Sequence, residues 1–264
     1  MICGITPIFV PGDRRERFSK AATSGADAMI IDLEDAVAPE RKEAARAALR
    51  SEALPGGIAL YVRVNAAGTP WHDADVAALS GLALAGVMLP KAETAGGVDR
   101  LAAALPGKSV IALIESARGL ANAREIAAHA ARLAFGSIDF CADLGMAHER
   151  GMLLTARAEI VLASRLGALP APLDGVSTVL DAPAEVEEEA RYARALGFGG
   201  KLCIHPKQIA SLRAGFAPTA VQIDWAERVL AAGSGAVSVD GKMVDEPVRI
   251  QARQILTLSQ ESHR

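Results

Sequence analysis

Aromatic residues and cysteines are both scarce in this chain of 264 residues. Phe, Trp and Tyr supply 4% of it, and the three cysteines are Cys3, Cys141 and Cys203, with no CxxC spacing. A small disulfide-bonded scaffold is therefore excluded, and reduced thiols that serve as small core residues are expected. Hydrophobic residues nevertheless reach 51%. One large core is therefore possible, built mainly from Ala, Val, Leu and Ile.

An excess of either charge is also lacking, and so is any long apolar run. The 28 basic residues face 31 acidic ones, a net charge of −3, which gives no electrostatic reason to bind nucleic acid or an anionic membrane. Apolar runs such as Val110–Ile114 fall far short of the ~20 residues of a membrane span. Met1–Pro7 lacks the basic start of a signal peptide. The sequence thus predicts a soluble cytoplasmic protein without nucleic-acid or membrane partners.

The sequence does contain a regular alternation of short apolar runs with longer Ala-rich segments that carry charges at helical spacing. The predicted strands are Ile5–Val10, Ala28–Leu33, Ala59–Val64, Gly86–Leu89, Val110–Ile114, Arg132–Phe135, Leu173–Val176 and Gly200–Ile204. The predicted helices are Arg14–Ser24, Pro39–Ser51, Trp71–Leu79, Val98–Ala104, Gly119–His129, Leu153–Leu166, Pro183–Leu196 and Pro206–Ala214. Eight such units predict a (β/α)₈ TIM barrel with parallel strands covered on both faces. A doubly wound sheet is the alternative, which the absence of a Gly-rich first turn disfavours.

The end of the chain departs from this rhythm. Ala220–Ala232 has the pattern of a helix, Ala236–Val244 that of a hairpin around an Asp-Gly turn, and Glu246–Ser259 that of a final helix. The sequence therefore predicts a catalytic barrel over residues 1–219 and a C-terminal lid extension over residues 220–264, too small to be an independent domain.

In such a barrel, catalytic groups follow the carboxyl ends of the strands. Polar or charged residues follow most of the predicted strands here, namely Asp13, Arg14, Asp32, Glu34, Asp35, Arg63, Asn65, Lys91, Glu115, Asp139 and His205. For Asp13 and Asp35, a helix cap or a salt bridge is the preferred interpretation. Together, the mixture of carboxylates and cations indicates a charge-paired pocket.

Glu115 and Asp139 follow adjacent predicted strands, so their carboxylates can converge. Two carboxylates without a His or Cys partner suit Mg²⁺ or Mn²⁺, whereas a pair of N-caps for the following helices explains their positions equally well. Arg63 lies on a predicted interior strand, where its charge needs an acid or an anionic ligand. A substrate carboxylate bound by the guanidinium fork would meet that need.

The chain resembles the citrate lyase β-subunit-like family of malyl-CoA and citramalyl-CoA lyases, within the HpcH/HpaI aldolase superfamily. The matching segments, in order, are Phe9–Gly12, Asp32–Val37, Arg63–Asn65, Pro90-Lys91, Ile114–Ala117, Gly136–Asp139, Gly200–Gln208 and Gly241–Pro247. Each segment alone is weak evidence, but the ordered set spans nearly the whole chain.

The resemblance implies a TIM barrel assembled as a homotrimer or hexamer, with Mg²⁺ and a CoA or acyl-carrier thioester. It implies Glu115 and Asp139 as metal ligands and Arg63 as the residue that binds the 2-oxo or 2-hydroxy acid. Positions that contact substrate or CoA in the family correspond to Phe9, Arg14, Lys20, Ile138, Asp139, Ile204 and His205. Asp245 corresponds to a lid carboxylate that reaches a neighbouring subunit's site, although a helix N-cap also explains it.

The function expected from this resemblance is Mg²⁺-dependent cleavage of a 3-hydroxy-3-carboxyacyl thioester of the citryl-, malyl- or citramalyl-CoA type. The products would be a 2-oxo acid and an acetyl thioester. Asp245 is the expected acid/base. Around the metal, Asp32, Glu34 and Asp35 are expected to support the site, with Glu34 or Asp35 holding metal-bound waters.

Two alternatives stay open at the level of sequence. One is a class II aldolase that acts on free 2-oxo acids and does not need Arg14 or Lys20. The other is a carrier-dependent subunit of a citrate-lyase-like complex, which turns over nothing alone.

Overall fold

A computed structural model describes residues 3–51, 53–233, 235 and 237–262. Residues 1, 2, 52, 234, 236, 263 and 264 of the predicted barrel and extension lie outside this description. Ala236 at the start of the predicted hairpin is among them.

Eight parallel strands form one sheet in which each strand pairs with the next along the chain. They are β1 Pro7–Pro11, β2 Ala28–Asp32, β3 Ala59–Arg63, β4 Gly86–Leu89, β5 Ser109–Ile114, β6 Arg132–Phe135, β7 Leu173–Asp174 and β8 Gly200–Lys201. The sheet closes because the Lys201 N–H donates to Ile5 O at 2.9 Å and the Phe9 N–H to Cys203 O at 2.8 Å. The predicted TIM barrel is confirmed.

Helices surround this barrel, as the sequence pattern predicted. They are α1 Phe18–Ala22, α2 Lys42–Ser51, α3 His72–Leu79, α4 Ala95–Ala104, α5 Ala117–Ala121, α6 Ala123–Ala127, α7 Ser137–Leu144, α8 Leu154–Leu166, α9 Pro183–Leu196 and α10 Ile209–Phe216. The predicted helix Gly119–His129 is interrupted at Asn122, whose backbone is not helical (φ −101°, ψ 7°). Its side-chain amide donates to Glu93 O at 2.8 Å, a bond that competes with helix continuation.

One helix, α7, was not predicted. It lies between the sixth predicted strand and the helix predicted to begin at Leu153, and it ends at Gly145 in the left-handed conformation (φ 64°) that glycine adopts without strain. Asp139, expected at a strand end, instead belongs to the first turn of α7. Its position therefore depends on how a helix is anchored rather than on a strand end.

Strands β7 and β8 are shorter than predicted. After Asp174 the chain leaves the ladder at Gly175 and passes close to the start of α7, where a Cβ on Gly175 would lie 2.3 Å from Ser137 Oγ. Sequence periodicity marks an apolar run, but neighbouring chain segments decide how much of the run can pair.

The apolar interior forms two layers. Aliphatic side chains such as Ile30, Met88 and Leu113 fill the barrel lumen, and a larger shell of Val, Leu, Ile and Ala packs between strands and helices. At the amino-terminal end of the lumen, the buried Arg132 donates to Gly4 O and Ala171 O, each at 2.8 Å. Aliphatic side chains thus supply most of both layers, and the few aromatic residues, such as Tyr61 and Phe135, are placed among them.

The C-terminal extension comprises α11 Ala220–Ala231, the hairpin strands β9 Val237–Val239 and β10 Lys242–Val244, and α12 Glu246–Ser262. It has a small core of its own, formed by Ala226, Val229, Val244, Ala252 and Ile255. A groove separates α12 from α8 and α9. Within the part of the chain that is described, no helix has the length and apolarity to cross a bilayer.

Candidate active site

Arg63 and Asp32 form the base of a polar cluster at the carboxyl ends of β2 and β3, where they are register partners. Nε and Nη2 of Arg63 donate to the two oxygens of Asp32 at 2.8 and 2.7 Å. Asp32 also accepts from the backbone N–H of Glu34 at 2.9 Å and of Ala36 at 3.0 Å. Burial lowers the pKa of Arg63, but the facing carboxylates of Asp32 and Glu34 outweigh this effect and raise it. The pair is therefore a fixed, charged unit.

The segment after β1 packs against this pair. The Arg63 guanidinium lies 4.9 Å above the ring of Phe9. The Gly12 N–H donates to Asp32 O at 2.7 Å, and a Cβ on Gly12 would come within 2.8 Å of that same oxygen. The glycine of the Phe-Val-Pro-Gly segment is thus needed for close approach of two strand ends.

Glu34 extends the cluster from Arg63 to Lys91. Its Oε1 accepts from Lys91 Nζ at 2.8 Å. Its Oε2 lies 3.1 Å from Arg63 Nη1 as an ion pair without hydrogen-bond geometry. Burial raises the pKa of Glu34 against the opposing effect of both cations. Glu34 thus connects the Arg63–Asp32 pair to the end of β4.

Glu115, which follows β5, is held by one oxygen only. Lys91 has a left-handed backbone (φ 46°), and its N–H donates to Glu115 Oε1 at 2.7 Å. The second oxygen, Oε2, is buried and has no hydrogen-bond partner. Glycine is required opposite, because a Cβ on Gly136 would lie 2.3 Å from Oε2. Burial, then Glu34 and Asp139, raise the pKa of Glu115 well above its ordinary value.

The alternative that Glu115 is a helix N-cap is not what the geometry shows. Ser116 caps α5, because its Oγ accepts from the Gly119 N–H at 3.1 Å. Asp139 is the third residue of α7, inside the helix and half-buried. It is close enough to Glu115 for its charge to act on the pKa of that carboxyl.

These donors fit a hard divalent cation. The buried Oε2 of Glu115 has no hydrogen-bond partner, and the carboxylate of Asp139 acts on the same group. Within the described residues, no three His, Cys, Asp or Glu side chains are grouped as a metal site made of protein ligands alone would require. A cation at Glu115 and Asp139 would complete its shell with water and substrate oxygens.

The other predicted site residues lie around this pocket or at the surface. Ile138 and Ile204 are 43% and 42% exposed, and Asp35 is exposed as well. Arg14 and Lys20 are exposed on the segment after β1, where Arg14 lies 3.9 Å from Glu16. Asp13, for which a cap or salt bridge was preferred, pairs with Arg41 at 2.5 Å.

His205 and Asp245 both act as caps in this structure. His205 Nδ1 accepts from the Lys207 N–H at 3.1 Å and begins a 3₁₀ turn. Asp245 Oδ1 accepts from the Val248 N–H at 3.4 Å, at the start of α12. Among the described residues, no hydrogen bond or ion pair joins Asp245 to the Arg63–Glu115 cluster.

Lys91 and Gly136 are the site residues that sequence reasoning undervalued. Lys91 uses its side chain for Glu34 and its backbone for Glu115, and Gly136 leaves room for the free oxygen of Glu115. Both belong to segments that carry the family resemblance, and that resemblance is the sequence feature from which their importance could have been predicted.

Fold and site together define a TIM-barrel protein with a carboxylate–arginine pocket at the carboxyl ends of its strands. Residues 6–206 match the family model described as HpcH/HpaI aldolase/citrate lyase, so the chain belongs to this family of lyase-type enzymes. A citrate lyase subunit beta-like protein of Mycobacterium tuberculosis is 42% identical over 97% of this chain and 95% of its own length.

Two further proteins extend the comparison. A (3S)-malyl-CoA thioesterase of Cereibacter sphaeroides is 34% identical over 94% of this chain and 92% of its own. The crystal structure of CitE from Mycobacterium tuberculosis with magnesium, acetoacetate and coenzyme A superposes with a TM-score of 0.89, at 40% identity and 98% coverage of both chains.

Proposed function

We propose that this protein is a Mg²⁺-dependent carbon–carbon lyase that cleaves a citryl-, malyl- or citramalyl-CoA type thioester to a 2-oxo acid and an acetyl thioester. The observation that carries the proposal is the buried Glu115 oxygen without a partner, which lies in one pocket with Asp139 and Arg63. The magnesium, oxo acid and coenzyme A bound by the related CitE structure support it.

Glu115 and Asp139 would hold the metal, with Mn²⁺ as a possible substitute. Bound Mg²⁺ supplies Lewis-acid stabilisation of the negative charge that develops on the substrate hydroxyl oxygen during cleavage. Glu34, fixed by Arg63 and Lys91, and the nearby Asp35 would accept hydrogen bonds from water in the pocket, and Asp32 would hold Arg63 in place.

Arg63 would bind the carboxylate of the substrate acid. Asp32 uses Nε and one N–H of Nη2, which leaves the second Nη2 hydrogen for another acceptor, whereas Nη1 faces Glu34 Oε2 at 3.1 Å. Because Asp32 also fixes the plane of the guanidinium, a second carboxylate can be bound without loss of side-chain freedom. Phe9 supports the same group from below.

The thioester portion would lie across the rim of the pocket. Ile138 and Ile204 offer exposed apolar surface there, His205 begins the adjoining turn, and the exposed Arg14 and Lys20 are the cations proposed for the phosphates of the acyl carrier. A few local cations then bind an anionic substrate on a protein whose net charge is −3.

Asp245 is proposed as the acid/base that takes the proton of the substrate hydroxyl as the carbon–carbon bond breaks and returns a proton to the terminal carbon of the acetyl enolate, which becomes the methyl group. No hydrogen bond or ion pair of the described residues joins Asp245 to the Arg63–Glu115 cluster, so this role requires that the extension close over the cluster or that a neighbouring subunit supply the residue. A homotrimer or hexamer is part of this proposal, as is the division into a barrel over residues 1–219 and a lid over residues 220–264.

The proposal is tested with purified protein, Mg²⁺ and a panel of the three thioesters, with acetyl-CoA and 2-oxo acid measured by chromatography. Both products are expected from at least one thioester, and EDTA or Glu115→Ala is expected to abolish them. The exposed Glu185→Ala is the matched control and should retain full activity. Activity that survives EDTA and Glu115→Ala would refute the metal assignment.

The same assay separates the alternatives. Release of free CoA and an intact hydroxy acid would indicate thioester hydrolysis, the activity named for the Cereibacter sphaeroides relative. Cleavage of a free hydroxy acid without CoA binding would indicate a class II aldolase. Turnover only after an acyl-carrier partner is added would indicate a dependent subunit.

A further inference from the structure

Helix α7 carries Asp139 and is anchored to the barrel on its inner side. The ring of Phe140 packs edge-on against Phe135 of β6, with centroids 5.5 Å apart. The first residue, Ser137, is buried between Gly175 and the ring of His148, whose Nε2 lies 3.0 Å from Ser137 Oγ. These contacts fix the start and the inner face of α7.

A separate contact joins α7 to the segment that carries Glu115. Oδ2 of Asp143 accepts from the backbone N–H of Ala117 at 2.7 Å, two residues beyond Glu115. Asp143 follows Asp139 by four residues, so the two side chains lie on the same face of α7. The bond therefore joins that face of the helix directly to the start of α5.

We propose that Asp143 is a positioning residue that sets the separation of the Glu115 and Asp139 carboxylates through its bond to Ala117. The inference rests on the proposed function, because it assigns these two carboxylates to one cation. A charge-assisted bond of 2.7 Å is short and directional, and groups outside the ligand set commonly orient metal ligands in this way. Asp143 itself touches neither substrate nor metal.

Two variants remove the bond from opposite ends. Asp143→Ala deletes the acceptor. Ala117→Pro deletes the donor and leaves every carboxylate in place, at a first helical position that accepts proline. Its predecessor Ser116 is already extended (φ −140°, ψ 160°), as the residue before proline requires. Asp143→Asn keeps a neutral oxygen acceptor and removes only the charge, and Asp73→Ala, exposed on α3, is the matched control.

The measurement is Mg²⁺ affinity of the full chain by titration calorimetry, with unfolding midpoints recorded for each variant. Asp143→Ala and Ala117→Pro are each expected to weaken Mg²⁺ binding by about tenfold. This is the smallest loss of metal affinity that is typical when a group that orients a metal ligand is removed. The double variant should be no weaker than either single one, because both remove the same bond. Asp143→Asn should retain most of the Mg²⁺ affinity. In Asp143→Ala and Ala117→Pro, a higher Mg²⁺ concentration should restore turnover.

Each remaining result overturns the inference. Unchanged affinity in both single variants shows that the bond does not position the carboxylates. Asp143→Asn and Asp143→Ala could lose the same Mg²⁺ affinity while Ala117→Pro loses none. That result shows that Asp143 acts only through its charge, which attracts the cation. If the parent protein binds no Mg²⁺, both the proposed metal site and this inference fail. If the parent binds Mg²⁺ and the variants bind it equally well, only this inference fails and the proposed function is unaffected.

Discussion

Arg63 holds Asp32 through two parallel hydrogen bonds of 2.8 and 2.7 Å, although the two residues lie 31 positions apart in the sequence. An arginine on an interior strand needs either an acid or an anionic ligand. The structure supplies the acid, pairs Nη1 with Glu34, and still leaves one Nη2 hydrogen of the guanidinium for a ligand. The residue proposed to bind the substrate is thus oriented before the substrate arrives.

Replacement of Arg63 by Lys should separate orientation from charge. Lysine keeps the positive charge but cannot donate two parallel bonds to Asp32. The kcat/KM for the cleaved thioester is expected to fall by roughly 100-fold, about 2–3 kcal/mol of transition-state stabilisation. Steady-state kinetics measure this, and Arg41→Lys, whose exposed side chain pairs with Asp13, should leave kcat/KM unchanged. Parental kinetics in Arg63→Lys would refute the role of the fork.

Gly136→Ala should damage the pocket without removing any polar group. The added Cβ would lie 2.3 Å from Glu115 Oε2, so the carboxylate must move from the position proposed for metal binding. Mg²⁺ affinity, measured by calorimetry, is expected to fall by at least about tenfold. Gly151→Ala, where a Cβ meets nothing within 4 Å, is the control. Equal affinity in both variants would contradict the proposed position of Glu115.

Asp27 should make folding stability depend on acidic pH. Burial raises the pKa of this carboxyl. Hydrogen bonds from the Thr6 and Ile5 N–H groups and the Thr6 hydroxyl, together with the charge of Arg213, lower it by more, so the net pKa lies below 3.8. The folded state therefore binds protons less readily than the unfolded state. The contribution of Asp27 is present above about pH 3.8 and is lost as pH falls through the lowered pKa.

Urea unfolding of Asp27→Asn tests this expectation. At pH 7 the variant should be less stable than the parent by about 1–3 kcal/mol, and the difference should shrink at pH 3. The exposed Asp73→Asn should differ little from the parent at either pH. A difference for Asp27→Asn that is the same at both pH values would contradict the assignment.

Asp174 should be among the most sensitive positions for stability. It is 1% exposed and pairs with Arg157 at 2.9 Å and Lys201 at 3.0 Å, outside the lumen. Asp174→Ala leaves two buried cations without this partner, a change expected to cost about 3–5 kcal/mol in free energy of unfolding. Asp181→Ala removes the exposed partner of Lys207 and should leave stability nearly unchanged. Similar unfolding midpoints for both variants would refute the structural role.

Much of the barrel could be read from local pattern. The predicted Arg132–Phe135 strand and Pro183–Leu196 helix match the structure residue for residue, and the predicted Asp-Gly hairpin is present as β9 and β10. Helix α7 escaped prediction because it is eight residues long and follows a strand directly. The N-cap alternative for Glu115 could not be decided from sequence, since the neighbouring Ser116 competes for the same role.

The sequence by itself determined the order and type of most elements, since apolar periodicity and turn residues act over a few neighbouring positions. It also placed the ionisable groups at the carboxyl ends of strands. Only the tertiary structure decided which of them meet: Asp32 with Arg63, Lys91 with Glu34 and Glu115, and Asp143 with Ala117. Those pairs depend on barrel closure and on how α7 packs, so the distances within them are set by contacts between segments far apart in the chain.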